Sequence, residues 1–371
     1  MASAFVCSQK KHLLPVLRLL VAWGTVLFFA VTSANHSSPL IELFLFLWLF
    51  AVILWCAFGV VREADQLAHL FGEPYGTLIL TLSIVLIEVI LIAAVMAGGE
   101  TAATIARDSM ISVMMIIMNG VIGLCLIIRG ISGGQHPFNR SGSAVYLGIL
   151  VPLTLLALVA PAFLSETGDG SLSAIQAIIF SATTVIIYGT FLILQTGRLS
   201  YLFMAPGSEN HTAVGQKQGQ NRLAIRGTTM IILLMVPIVL LAEHLAVFLD
   251  QGLKDVGAPA AAGGFIIAMI VFAPETITSL KAARNDELQR VINLCHGAFV
   301  STLGLTVPAV LTIGLLTGQT VILAAPLADA IMIIATLALS AATFLVPRTG
   351  ILAGILHFLL FAGYIAVIFT T

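Results

Sequence analysis

A carboxylate in the middle of a long apolar run limits what this chain can be. The run from Thr77 to Met96 reads TLILTLSIVLIEVILIAAVM, with Glu88 near its centre. A run of this length matches the hydrocarbon core of a bilayer, which is about 30 Å thick. A charge at the centre of such a span costs roughly 3 kcal/mol on insertion scales. Glu88 must therefore be neutral, be paired, or face a hydrated cavity.

A second acid has the same setting. Glu275 lies in GGFIIAMIVFAPETITSL, directly after Pro274. Neither run places a Lys or Arg beside its acid, so neither sequence supplies a structural ion pair. Ionisable residues inside membrane spans mark ion pathways and proton relays. We therefore expect Glu88 and Glu275 to be the residues that carry transport.

The composition excludes a soluble globule. Hydrophobic residues make up 59% of the 371 residues and charged residues 9%, and the mean hydropathy is +1.10. A formal net charge of -1 gives no nucleic-acid footprint. The four cysteines lack metal-binding or disulfide-framework spacing, and we expect no cofactor. The expected surroundings are membrane lipid and transported ions, and the pattern sets no oligomeric state.

The hydropathy predicts an all-α polytopic membrane protein with about eleven transmembrane helices. The first could instead be a signal peptide, because Lys10 and Lys11 precede it and Thr32-Ser33-Ala34 resembles a cleavage site. Arg18 lies inside this long run, which favours a retained helix over a cleaved one that would leave ten spans. The predicted spans are 13–32, 40–61, 77–96, 107–128, 144–163, 173–195, 229–249, 258–280, 291–315, 321–345 and 351–370.

The basic residues predict the orientation. When the loops alternate between two sides, all of the sixteen Lys and Arg residues except Arg107 and Lys254 fall on one side. The positive-inside rule makes that side cytoplasmic. The N-terminus is then cytoplasmic and the C-terminus external, in what we expect to be a bacterial inner membrane.

A polar segment near the middle of the chain separates two sets of five spans. An odd number of spans gives the two sets opposite topology, as in inverted-repeat transporters. Each set carries its buried Glu in its second span. The predicted divisions are an N-terminal helix in 1–36, a first repeat in 37–195, a cytoplasmic linker in 196–228 and a second inverted repeat in 229–371.

Neutral oxygen-bearing residues accompany the two acids. Thr81 shares a helical face with Glu88, Ser279 shares one with Glu275, and Ser112 lies seven residues before Asn119. Hard cations bind carboxylate, carbonyl and hydroxyl oxygens. The alternative is that each Ser or Thr bonds its own helix. The candidate cation-coordinating residues are Thr81, Ser112, Asn119, Thr276, Ser279, Ser301 and Thr302.

Two further expectations concern backbone and gating. Pro274 removes one helical hydrogen bond, and we expect the helix to break just before Glu275. Other polar residues near span ends are candidates for a gate or a proton path, although interfacial or packing roles compete with that interpretation. These residues are Glu73, Asp108, Glu243, Asp329 and His296.

Two long segments resemble the signature regions of bacterial ChaA-type antiporters, which belong to the calcium/cation exchanger superfamily. They are VVREADQLAHLFGEPYGTLILTLSIVLIEV and APETITSLKAARNDELQRVINLCHGAFVSTLGLTVPAV. The resemblance implies a fold of two inverted five-helix repeats and exchange of Ca²⁺, Na⁺ or K⁺ for protons. It also implies that the essential acids are Glu88 and Glu275.

The resulting hypothesis is a secondary-active cation/proton antiporter that works by alternating access and is not an enzyme. A passive cation channel is an alternative, but the chain has no repeated filter-like loop. An intramembrane enzyme is a further alternative. It would need a nucleophile and base or a metal cluster, and no GxSxG or HExxH motif is present.

Overall fold

The structure is a computed structural model, and it describes residues 2–32, 39–71, 75–98, 103–132, 138–165, 168–204, 220–346 and 349–370. These residues form helices and connecting turns, without a β-strand among them. The single β-type contact in the described chain is an isolated bridge between Ser171 and Ile322. The predicted all-α fold is confirmed.

Eleven long helices account for the predicted spans within the described residues. Ten are long and apolar enough to cross a membrane, and α3 adds the apolar stretch Thr81–Ala97. The helices are α1 (Ala2–Val31), α2 (Pro39–Phe71), α3 (Tyr75–Gly98), α4 (Ile105–Ile131), α5 (Arg140–Val159), α6 (Ala174–Thr196), α7 (Gln220–Asp255), α8 (Ala261–Arg284), α9 (Leu288–Thr317), α10 (Leu327–Phe344) and α11 (Ile351–Ile368).

Two helices extend beyond their predicted spans. Helix α2 continues through Arg62 to Phe71, and α7 begins at Gln220, nine residues before the predicted start. The added part of α2 reads READQLAHLF, which is rich in good helix formers. Its Glu63 is buried at 8% exposure. Hydropathy locates only the part of a helix that is apolar, so it underestimates both lengths.

Many large apolar side chains remain exposed on the outer faces of the helices. Helix α6 exposes Ile175, Ile178 and Ile179, and α11 exposes Leu352 and Leu359. Exposed patches of this extent are rare in soluble proteins. In a membrane protein they contact lipid, because a helix satisfies its backbone internally and presents only side chains to the hydrocarbon.

The chain divides into two compact units, each of which draws helices from both predicted repeats. The first unit comprises residues 1–99 and 212–256, with α1, α2, α3 and α7. In it, the Arg18 guanidinium of α1 lies 5.7 Å from the centroid of the Trp55 ring of α2. The Arg18 side chain also packs against Gly59, where a side chain would collide with it.

The second unit comprises residues 100–211 and 257–371, with α4 to α6 and α8 to α11. Helix α4 is its most enclosed helix, with 83% of the span buried. Close approach of other helices to α4 depends on glycine. A side chain on Gly264 of α8 would collide with the Asp108 backbone, and one on Gly123 of α4 would collide with the Phe358 backbone of α11.

We expect Gly123→Ala to destabilise the protein. A Cβ at this position would lie 2.8 Å from the Phe358 nitrogen and 3.0 Å from the Gly354 oxygen, so the two backbones must separate. Overpacking of this kind costs about 1–3 kcal/mol. The measurement is the melting temperature of the purified protein in detergent.

The matched control is Gly148→Ala in α5, where nothing lies within 4 Å of an added Cβ. Alanine in place of a mid-helix glycine is neutral or stabilising by up to about 1 kcal/mol. Equal melting temperatures for Gly123→Ala and Gly148→Ala would contradict the close packing of α4 against α11.

Candidate functional site

Glu275 lies on a helix that passes through Pro274 without interruption. Helix α8 is continuous from Ala261 to Arg284, so the expected break before Glu275 is wrong. Pro274 has no N–H, and the carbonyl of Ile270, one turn earlier, therefore lacks its helical donor. Thr276 donates to the Phe272 carbonyl at 2.8 Å and Thr278 to the Pro274 carbonyl at 2.9 Å. Both hydroxyls bond carbonyls near the freed one and not the Ile270 carbonyl itself.

The Glu275 carboxylate is buried, with 7% of the residue exposed. Ser279, one turn further along α8, is fully buried, and its Oγ lies 3.6 Å from the Cys295 Sγ of α9. Glu275 is close enough to Cys295 for an electrostatic interaction between them. The carboxylate therefore lies on the side of α8 that faces α9, among small polar groups.

Glu88 is fully buried in the first unit. Its helix, α3, packs against α2 and α7. Ser83 donates to the Ile79 carbonyl of its own helix at 2.7 Å, whereas Thr81 is half-buried. Within the described residues no group of three or more His, Cys, Asp or Glu side chains could hold a metal ion. The joint action of Glu88 and Glu275 on one ion stays a prediction.

The helix that follows each acid contains a π-helical segment. In α4 the segment is Met115–Val121, and in α9 it is Thr302–Thr306. Each begins 27 residues after its acid, from 88 to 115 and from 275 to 302. Segments with i→i+5 bonds are rare and are frequent at functional sites. This equal spacing is a structural likeness between the two halves that hydropathy does not reveal.

Proline explains two of the three π segments found in the described chain. The segment Thr302–Thr306 ends two residues before Pro308, and Leu155–Val159 of α5 ends two residues before Pro161. A proline ring clashes with the carbonyl four residues earlier, and a wider turn relieves that clash. No proline follows Met115–Val121, where the next residues are Ile122 and Gly123. That segment needs another cause.

Two polar residues of α4 bond side chains on other helices. The Ser112 Oγ lies 2.8 Å from the Tyr364 hydroxyl of α11. The Asn119 Nδ2 donates to the Thr336 Oγ1 of α10 at 2.7 Å, and its Oδ1 lies 2.9 Å from the His357 Nδ1 of α11. Ser112 and Asn119 thus share a face, and that face is directed toward α10 and α11. Their coordination of a cation stays a prediction.

The corresponding residues of α9 are buried hydroxyls. Ser301 donates to the Ala298 carbonyl at 2.7 Å, which is the local bond that isolated Ser residues usually make. Thr302 and Thr306, at the two ends of the π segment, are both fully buried. Thr302 therefore combines burial with irregular backbone, which makes it a better candidate than Ser301.

The contacts between α8 and α4 place Glu275 at the depth of Asn119. Gly264 packs against the backbone of Asp108, and the Ala283 carbonyl accepts from the Arg129 Nη1 at 3.4 Å, so the two helices run parallel. Glu275 lies eleven residues after Gly264, and Asn119 lies eleven after Asp108. The π segment of α4 is therefore beside the part of α8 that carries Glu275.

Two gate candidates lie together at the start of α4 and α10. Asp108 is buried, accepts from the Arg107 Nε at 2.8 Å and accepts from the Thr104 Oγ1 at 2.9 Å. The Arg107 Nη1 also donates to the Ala324 carbonyl, just before α10, at 3.1 Å. Asp329 is within electrostatic range of Asp108 and Arg107. This cluster lies where α4 and α10 begin, and its role as a gate stays a prediction.

The other gate candidates are not part of that cluster. His296 is fully buried between the Tyr146 ring, 5.6 Å away, and the Phe344 ring, 5.0 Å away, and its Nδ1 is 3.1 Å from the Ile292 carbonyl. Glu243 is exposed on α7. Glu73 lies outside the described residues.

Sequence reasoning gave little weight to the polar residues of α10 and α11. None of His357, Tyr364, Thr336 and Thr343 was among the candidate site residues. A usable signal was present, because His357 and Tyr364 are seven residues apart, as are Ser112 and Asn119, and seven residues return to one helical face. Only tertiary packing shows that these two faces meet.

Comparison with known proteins agrees with these features. The family described as sodium/calcium exchanger protein matches residues 41–197 and 226–370. The sodium-potassium/proton antiporter ChaA of Escherichia coli (strain K12) is 34% identical over 359 residues, which cover 96% of this chain and 94% of the relative.

Solved structures extend the likeness to the fold. The structure of native YfkE matches with a TM-score of 0.71 and 14% identity, covering 97% of this chain and 99% of that one. The H⁺/Ca²⁺ exchanger CAX matches with a TM-score of 0.70 and 15% identity, covering 96% of this chain and 88% of that one. The chain therefore belongs to the sodium/calcium exchanger protein family of membrane transporters.

Proposed function

We propose that the protein is a secondary-active antiporter that exchanges Na⁺, K⁺ or Ca²⁺ for protons, with Glu88 and Glu275 as the groups that bind cation or proton. One observation carries the proposal. Each half of the chain holds a buried Glu in its second span, followed after 27 residues by a π segment in the next helix. Glu275 lies beside the π segment of α4, and a buried carboxylate beside irregular backbone offers a cation both charged and carbonyl oxygens.

The names of similar proteins support this ion class. The relative from Escherichia coli is a sodium-potassium/proton antiporter, and a protein of the same fold is an H⁺/Ca²⁺ exchanger. Carboxylate, hydroxyl and carbonyl oxygens suit all three hard cations. The acids and the surrounding oxygens do not need a resident cofactor for exchange of this kind.

The exchange follows from competition at the acids. A bare carboxylate is costly in the membrane interior, so each acid is stabilised either by a proton or by a cation. An arriving cation displaces the proton, and the conformational change then exposes the site to the other side. Because one group cannot hold both, the two fluxes are coupled. The ion gradients drive the cycle without nucleotide hydrolysis.

The distribution of basic residues supports an orientation with the N-terminus in the cytoplasm. The basic residues Arg129, Lys281 and Arg284 lie at the ends of α4 and α8, which run parallel, so these residues occupy the same side of the second unit. The positive-inside rule makes that side cytoplasmic. The bacterial relative supports a location in a bacterial inner membrane.

We expect Glu88→Gln and Glu275→Gln each to abolish exchange. Glutamine keeps the size of the side chain but cannot carry the charge that binds a cation or the proton that it replaces. The measurement is dequenching of a pH-sensitive dye in proteoliposomes after addition of Na⁺, K⁺ or Ca²⁺. Both variants should give the signal of protein-free liposomes.

Asp255→Asn is the matched control, because Asp255 is an exposed acid at the end of α7. It should exchange like the wild type. Normal exchange by both well-expressed Gln variants of the buried acids would refute their proposed role. Cation flux that persists without any coupled proton movement would instead identify a passive channel.

Competition also predicts a pH dependence. As the pH falls, more of the acid sites hold a proton, so the apparent KM for the cation rises. Below the titration range, mass action gives about a tenfold rise per pH unit for one displaced proton and about a hundredfold for two. Initial rates measured over a series of pH values and cation concentrations give this slope. A KM that is independent of pH would exclude a shared site.

A further inference from the structure

Four buried side chains from three helices form a continuous hydrogen-bonded series. The Thr343 Oγ1 lies 3.1 Å from the His357 Nε2, and the His357 Nδ1 lies 2.9 Å from the Asn119 Oδ1. The Asn119 Nδ2 lies 2.7 Å from the Thr336 Oγ1, whose hydrogen goes to the Met332 carbonyl at 2.8 Å. The series joins α4, α10 and α11, and all four side chains are buried.

The partners assign the hydrogens on both sides of Asn119. The Thr336 hydroxyl donates to the Met332 carbonyl at 2.8 Å, which is a closer acceptor than the Met115 Sδ at 3.5 Å, so its oxygen accepts from the Asn119 amide nitrogen. The Asn119 oxygen is then the acceptor, and His357 Nδ1 carries a hydrogen. The His357 Nε2 lies within hydrogen-bond distance of the Thr343 hydroxyl. These partners orient the Asn119 amide.

This hydrogen-bonded series offers a cause for the π segment of α4, which no proline in the sequence explains. The other two π segments precede prolines, whereas Met115–Val121 does not. A π segment is less stable than α-helix and persists where surrounding contacts determine it. Asn119 is the fifth residue of the seven, and its amide is bonded on both sides to other helices. The other bond from α4 to α11, between Ser112 and Tyr364, precedes the segment and does not hold it.

The location gives the series a functional consequence. Asn119 lies at the depth of Glu275 in the parallel pair formed by α4 and α8. The π segment Met115–Val121 lies between the two contacts that pair these helices, at Asp108 and at Arg129. Its shape therefore sets which backbone atoms of α4 lie beside Glu275.

We propose that His357 is a positioning residue of the transport site, whose Nδ1–H bond to Asn119 holds the π segment of α4 in place beside Glu275. The proposal rests on the function proposed above for Glu275. His357 does not touch the ion. It acts through Asn119, and Thr336 completes the same anchor.

Two substitutions at His357 distinguish the role of Nδ1 from that of Nε2. Asparagine places an amide nitrogen near the position of Nδ1, and glutamine places one near the position of Nε2. In proteoliposomes His357→Asn should keep the apparent KM for the cation within about twofold. His357→Gln should raise it about tenfold with a smaller change in maximal rate, since a buried hydrogen bond at the site is lost. Equal KM values for the two variants would overturn the proposal.

A second pair of variants tests the anchor without changing the histidine. Thr336→Val removes the other partner of the Asn119 amide and should raise KM in the same way. The control is Thr312→Val, because Thr312 also donates to the carbonyl four residues earlier but is exposed on α9. This pair also serves if His357→Gln does not fold. A wild-type KM for Thr336→Val would contradict the anchor.

A double-mutant cycle distinguishes an anchor from two independent packing effects. Asn119→Ala and His357→Ala should each raise KM, and the double variant should raise it by less than the two effects combined, because both remove the Nδ1–Asn119 bond while His357 also bonds the Met118 backbone. Additive effects would refute the link. Glu275→Gln separates the two proposals. Its loss of exchange together with a normal KM for His357→Gln rejects only the positioning role, whereas its retained exchange rejects the role of Glu275.

Discussion

The backbone of a membrane protein must satisfy its hydrogen bonds without water, and the irregular parts of this structure depend on that constraint. Lipid offers no donors or acceptors, so each departure from α-helix needs a compensating group within the protein. Pro274 lies inside α8, which continues through it to Arg284. Met115–Val121 is buried along its whole length and Thr302–Thr306 at four of its five residues, whereas only Ala157 and Leu158 are buried in Leu155–Val159. The most enclosed irregular backbone is therefore the segment beside Glu275.

Helix α4 is central to the second unit because small residues and polar pairs let two helices approach it. Gly264 of α8 and Gly354 of α11 bring their backbones against it from different sides. The pairs Ser112–Tyr364 and Asn119–His357 then fix its register with α11, since they are seven residues apart on both helices. Apolar packing in a membrane has little directional preference of its own. Polar contacts supply the specificity that leucine and isoleucine do not.

Much of the fold and part of the site followed from the sequence. The two buried acids, the spans and the family resemblance were accessible because charge is rare in apolar runs and hydropathy has a fixed length scale. The break at Pro274 was predicted wrongly. A proline removes one hydrogen-bond donor from a helix, but that loss does not by itself end the helix. Pro308 and Pro161 held a signal for two π segments that was not used. No sequence signal marked the π segment around Asn119, because the partners of Asn119 lie more than 200 residues away in the chain.

The sequence by itself determined that the chain crosses a membrane many times and that Glu88 and Glu275 are buried there, since hydrophobic length and the cost of a charge are local properties. Only the tertiary structure decided that α8 stays continuous through Pro274. It alone decided that α4 widens into a π segment at Met115–Val121 and that His357 and Thr336 hold Asn119 there. The reason is physical, because those hydrogen bonds join three helices and exist only after the helices have packed.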